Sequence, residues 1–139
     1  VEERRYFRRY LRDSEAKLKH QERLLPARLV DYSLDGIGMV LLDRHPLQGG
    51  ELVDVEVKEL ALRTVGEVIW VKQEDSHKRL GLRKRGRLEG RITDYEFSDT
   101  FIGLQLTQKT GILNVWLNDI TKSVYVKKGD MIFSTSNQP

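Results

Sequence analysis

The chain has 139 residues, 39% of them apolar and 32% charged, which suits one folded domain or one domain with a small companion. No apolar run reaches the roughly 18–20 residues needed to span a bilayer, and the absence of cysteine excludes disulfides, thiolate metal sites and cysteine nucleophiles. The net charge of +3 is unevenly spread: residues 1–87 hold 19 Lys and Arg against 15 Asp and Glu, residues 88–139 hold 5 against 6, and five arginines fall in the first twelve positions.

That excess is concentrated in "RRYFRRY", Arg4 to Tyr10. Arginine suits bidentate contacts and stacking better than lysine does. Arg4 and Arg8 form an R-x-x-x-R pair, as do Arg5 and Arg9. Extended, such a pair spans about 13 Å; in a helical turn it spans about 5–6 Å. In either case two guanidinium groups can grip two acceptors of one ligand, unless the segment is simply a solvated basic arm. The start "VEERRYF" lacks the apolar core of a signal peptide. Together with the missing cysteines, this leads us to expect a cytoplasmic protein.

After the arginines, "AKLKH" alternates apolar and polar residues as a half-buried strand does. "PARLVDYS" and "GIGMVLLD" are β-rich runs separated by "LDG". Gly49-Gly50 marks a turn, after which Val53, Val55 and Val57 share one strand face and Asp54, Glu56 and Lys58 the other. "TVGEVIWVK" and "KRLGLRK" complete a set of five or six strands. The expected fold class is mainly β, a small antiparallel barrel or sandwich of six or so strands.

The texture changes near residues 84–90, which divides the chain into expected units of 1–86 and 87–139. In the second unit Phe101, Leu104 and Leu106 suit a short helix capped at Ser98 or Asp99. "GILNVWLN", "KSVYVKKGD" and "MIFSTS" read as three strands, giving a small α+β or β-rich unit. About 50 residues bury little core, so this unit is expected to be truncated, or to lean on its neighbour or a partner.

Equipment for catalysis is not visible. His20, His45 and His77 have no metal-ligand spacing, and no nucleophile elbow, phosphate loop or dinucleotide fingerprint occurs. Glu74-Asp75 sits beside a turn, as solvated charge does. We therefore expect no catalytic residues, metal or cofactor, and no enzyme activity. "DYSLDG" is more informative. In an extended chain Asp31 and Ser33 project from one face. Both side chains can also fold onto backbone to make a turn, and Gly36 permits positive φ or close backbone approach.

R-x-x-x-R, followed some twenty residues later by D-x-S-x-x-G on a strand, resembles the PilZ family of cyclic di-GMP receptors. "LQGGELVDVEV", "GEVIWV" and "RLGLR" are similar to the family's glycine turn and valine strand, its glycine-to-tryptophan strand and its closing strand. The resemblance covers about residues 3–85. It implies a β-barrel that binds cyclic di-GMP through Arg5, Arg9, Asp31, Ser33 and Gly36, with Arg4 and Arg8 as the alternative register of the arginine pair. The ligand would bind as a monomer or as an intercalated dimer. Asp35 departs from the family's pattern, since a small or neutral residue is common there; its charge would oppose an anion or pair with an arginine. The arm is expected to be mobile when empty and ordered by ligand.

The C-terminal segments "QKTGILNV" and "VYVKKGDMIFST" are similar to the PATAN module of PatA-type response regulators, without that module's helical remainder. These resemblances imply a non-catalytic second-messenger receptor that signals to a protein partner. Two alternatives stand beside it: a nucleotide-independent PilZ-like adaptor, and a single-stranded nucleic-acid-binding barrel. The last is disfavoured because only the arm is strongly basic.

Overall fold

The computed structural model describes residues 7–86, 88–91, 93–117 and 119–136, without the side chains of Leu117 and Phe133. Contacts gather the chain into two units, one formed by Arg9–Tyr95 and one by the residues on either side of that span.

In the first unit six antiparallel strands follow one another: β1 (Tyr10–His20), β2 (Arg23–Tyr32), β3 (Gly36–Leu41), β4 (Leu52–Val57), β5 (Leu62–Glu74) and β6 (His77–Arg85). They close into a barrel in the order β1-β2-β3-β6-β5-β4, with β4 returning to β1. Every barrel strand thus has two neighbours, although β1 and β4 pair only where Lys17, Leu18 and Lys19 meet Glu56, Val55 and Asp54; closure of this kind is how a small all-β unit limits edge-to-edge association.

The alternation expected for β4 is observed. Val53, Val55 and Val57 are buried, Asp54 is exposed, and half-buried Glu56 accepts a hydrogen bond from Arg63 on β5 at 2.7 Å. The same period of two sends Leu18, Leu25, Leu29, Met39, Val68 and Leu80 into the barrel. Gln21 and Glu22 join β1 to β2 with both φ angles positive, 49° and 68°. A two-residue hairpin needs that geometry, although neither residue favours it.

At one end of the barrel Leu47 is buried, and His20 lies between His45 and Glu51, at 2.7 and 2.6 Å. Spacing gave no hint of this meeting of two histidines. Among the described residues, no group of three His, Asp or Glu side chains could hold a metal ion.

At the other end Tyr10, Tyr32 and Tyr95 pack ring against ring, with centroids 5.2–5.9 Å apart. Asp94 anchors the segment that delivers Tyr95: it accepts from Arg91 at 2.6 Å and from Arg12 at 3.2 Å, and its carbonyl accepts from the Tyr32 hydroxyl at 2.8 Å. Lys84 faces inward on β6 and donates to the Tyr95 hydroxyl at 3.0 Å. Burial lowers the Lys84 pKa to about 8, with Asp35 opposing the shift. Burial also raises the pKa of Tyr95.

The second unit holds α1 (Phe97–Thr107) and a three-stranded antiparallel sheet of β7 (Gly111–Leu117), β8 (Ile120–Lys127) and β9 (Asp130–Ser136), in that order. The helix starts earlier than its expected cap. Glu96 occupies the N-cap without a side-chain cap bond, and Ser98 and Asp99 lie in the first turn. The physical reason is an aromatic pair: Phe97 and Phe101, one turn apart, meet edge to face at 4.8 Å and fasten that turn. Phe7 is buried in this unit against Gly103, where a Cβ would overlap its ring. Arg8 donates to Glu96 at 3.3 Å and to Asp99 at 3.1 Å. Among the described residues no helix is long and apolar enough to cross a membrane.

Candidate functional site

The candidate site is built on two faults in strand alternation. On β2, Leu25, Ala27 and Leu29 point inward, so strict alternation would send Asp31 into the core. A bulge between Leu29 and Asp31 turns Asp31 outward and Tyr32 inward. On β5, Gly66 and Val68 face inward, and a bulge between Val68 and Trp70 turns Trp70 outward in the same way.

The two re-aimed side chains share one level. The register runs Asp31, Gly38, Gly81, Trp70 across β2, β3, β6 and β5. Three strand spacings of about 4.8 Å make this row roughly 14 Å wide. Its two central residues have no side chains, and each is covered from outside. A Cβ on Gly38 would overlap the Asp31 carboxylate, and a Cβ on Gly81 would overlap the Trp70 indole. The result is a flat floor with a carboxylate at one end and a half-exposed aromatic ring at the other.

Arg9, immediately before β1, donates through Nη2 to Asp31 Oδ2. The two residues are 22 positions apart in sequence, and the pair is partly buried. Charge-assisted contacts of this kind are among the strong hydrogen bonds. Ser33 lies in the turn from β2 to β3. Its N–H donates to the Gly36 carbonyl at 2.9 Å, its Oγ accepts from the Gly36 N–H at 3.0 Å, and its hydroxyl donates to Asp35 Oδ1 at 2.9 Å. Asp35 thus meets a hydroxyl here, while its carbonyl accepts from the Lys84 N–H at 2.8 Å and ties the turn to β6.

Of the candidate residues, Arg9, Asp31, Ser33 and Gly36 all fall within the barrel unit. Arg9 and Asp31 touch; Ser33 and Gly36 form the adjoining turn. Arg8 is held in the other unit by Glu96 and Asp99. Arg4 and Arg5 lie outside the described residues. The expected mobile arm does not extend as far as β1, because from Tyr10 onward the chain is strand, with Arg12 paired to Asp94.

Sequence reasoning missed Gly38, Gly81, the outward aim of Trp70, and three flanking cations. Arg83 stands opposite Gly36, and Arg79 lies between Val40 and Lys72 on the same outer face. Arg79 Nε is buried without a hydrogen-bond partner in the structure. The counter-charge beside them is Glu67, which is bonded to Arg85 at 2.7 Å. Chemically, the face suits a flat molecule that carries negative charge and an edge of N–H donors.

Comparison with known proteins places the chain in a family. The PilZ domain profile matches residues 2–97, and the chain belongs to the PilZ family, whose members are generally non-catalytic receptor domains. Among solved structures the chain is similar to the Bacillus subtilis inhibitor of motility MotI/DgrA, with 18% sequence identity and a TM-score of 0.53. The match covers 72% of this chain and 50% of that one, so this chain accounts for about half the length of its structural relative. No curated protein sequence matches the chain.

Proposed function

We propose that the chain is a non-catalytic receptor for cyclic di-GMP, which it takes on the outer barrel face between Arg9 and Trp70. One observation carries the reading: Arg9, from the leading segment, meets Asp31 beside the Ser33–Gly36 turn, at one end of the floor that runs to Trp70. Asp31 accepts from guanine N1–H and the exocyclic amine, a donor pair that adenine and uracil do not present. Arg9 takes a phosphate or the O6/N7 edge of guanine in bidentate fashion. Trp70 offers a ring face to a second base, and Arg79 and Arg83 balance phosphate charge. Gly38 and Gly81 let the Asp31 carboxylate and the Trp70 indole lie flat against the sheet, so that a ligand rests on those two groups. Arg5 completes the grip in the register that uses Arg9, whereas the Arg4/Arg8 register requires Arg8 to leave Glu96 and Asp99. A ligand of two guanines and two phosphates, single or as an intercalated pair, matches the width of the row.

In this reading the barrel within 1–86 senses the nucleotide, and the PATAN-like segment within 87–139 passes the signal to a protein partner in the cytoplasm. Calorimetry tests it. Cyclic di-GMP should bind saturably, and Arg9→Ala should weaken binding about 10- to 150-fold, as expected for losing one charged hydrogen bond of about 1.5–3 kcal/mol. Asp31→Asn, which keeps the side-chain shape, should lose preference for guanine over adenine dinucleotides. Absence of heat with the unaltered chain removes the proposal.

A nucleotide-independent adaptor is the second reading. It is favoured by the pairings within the barrel itself, where Arg9 is bonded to Asp31 and Ser33 to Asp35. An adaptor would engage its partner equally with and without cyclic di-GMP.

A further inference from the structure

The outer strand β7 has features that the barrel site does not use. Among the described residues it pairs with β8 alone, and no described strand pairs with its other edge. Proteins usually blunt such an edge with charge, proline or a bulge. Gly111–Leu117 has no charged residue and no proline, and its pairing to β8 runs without a break. Two large apolar side chains on one face stand in solvent: Ile112 is 58% exposed and Trp116 is 62% exposed.

The order of residues along β7 is close to palindromic about Asn114. Placing a second β7 antiparallel to the first, with Asn114 on a two-fold axis, sets Ile112 of each copy opposite Trp116 of the other. On the reverse face Leu113 of each stands opposite Val115. Just beyond the two ends of the strand lie Lys109 and Asp119, and the same axis brings each lysine to the end that carries the other copy's aspartate. Sequence, exposure and charge therefore agree on one register. The second outer strand, β9, has no such self-complementarity: a two-fold at Phe133 sets exposed Ile132 against Ser134 and exposed Met131 against Thr135.

We infer that β7 is a homodimer interface, which joins two copies of this chain into one continuous six-stranded antiparallel sheet. Strand addition supplies main-chain hydrogen bonds, and the Ile112–Trp116 pairs supply apolar burial. A single seven-residue strand pair is small beside stable interfaces, so the dimer is weak and depends on concentration.

The test begins with sedimentation of the unaltered chain across a concentration series. A reversible monomer–dimer equilibrium is expected, and Trp116→Glu, a change at an exposed position, should abolish it. Lys109→Glu should weaken association, and adding Asp119→Lys to it should restore association. Because the chain has no cysteine, Asn114→Cys gives a direct reading. On the axis its two Cα atoms would be about 4.5–5.5 Å apart, within disulfide reach. Oxidation should yield a covalent dimer, and Thr135→Cys on β9 should not. A monomer at every concentration, a dimer indifferent to Trp116→Glu, or equal cross-linking from Thr135→Cys would each overturn the assignment. A β7 covered instead by a further segment of a longer chain or by another protein would register as the monomer result.

Discussion

Two residues shape the floor of the site by lacking a side chain. At Gly38 a methyl group would displace the Asp31 carboxylate, and at Gly81 it would displace the Trp70 indole. Overpacking of this kind costs about 1–3 kcal/mol. Gly81→Ala should therefore lower the denaturation midpoint and shift the emission of Trp70; for the spectroscopic reading Trp116 is first replaced by Phe. An unchanged spectrum would mean that the indole does not rest on Gly81. Asp35 permits a second test. Asp35→Asn keeps an acceptor for the Ser33 hydroxyl and removes the negative charge, so cyclic di-GMP should bind several-fold tighter by calorimetry; weaker binding would give the carboxylate a supporting role. These residues also show where the sequence was hard to read. D-x-S-x-x-G was visible as a motif, but a bulge aims Asp31 outward, and no residue preference announces the bulge. Gly38 and Gly81 look like ordinary strand glycines until the register sets them side by side.

At the scale of the element, β6 combines apolar and charged residues on its inner face. Leu80 and Leu82 face inward, and so does Lys84, whose pKa burial lowers from 10.5 to about 8. The unfolded chain therefore binds more protons than the folded chain between about pH 8 and 10.5, and stability rises with pH through that window. Above pH 10 the raised pKa of Tyr95 acts in the opposite direction, because the unfolded tyrosine then ionises while the folded one keeps its proton. Unfolding free energies from urea titrations between pH 7 and 10 should rise relative to Lys84→Met by an amount on the order of 2 kcal/mol. Parallel curves would mean that Lys84 finds water or a counter-charge when folded. Elements were the most legible scale in the sequence. The valines of β4 and the turn at Gly49-Gly50 fixed a strand and its inner face without ambiguity. The start of α1 was misplaced because capping residues at Ser98 and Asp99 competed with an aromatic pair at Phe97 and Phe101, and the pair won.

For the whole molecule, the relevant contrast is between a ligand with two phosphates and a polymer with many. The basic excess is local, and β6 and β5 add Arg79, Arg83 and Lys72 to one face of the barrel. Two phosphates release few counterions, so cyclic di-GMP affinity should fall only gently with salt, whereas a strand of nucleic acid would show a steep slope proportional to its contacts. A steep slope, together with tight binding of arbitrary single strands, would favour the nucleic-acid barrel. Strand count and spacing left a barrel or a sandwich open, and the resemblance to the PilZ family favoured the barrel. The order β1-β2-β3-β6-β5-β4 was not readable, because it depends on β6 returning beside β3, a long-range pairing with no local signature.

The central claim is that the leading arginines and the Asp31–Gly36 turn serve one nucleotide on the outer face of the barrel. Amide shifts followed by NMR during a cyclic di-GMP titration test it most directly. The account predicts saturable shifts at Arg9, Asp31, Ser33, Gly36, Gly38 and Gly81 and at the Trp70 indole, with His20, His45 and Leu47 at the far end of the barrel unmoved. Shifts confined to that far end, or none at ligand excess, would contradict it.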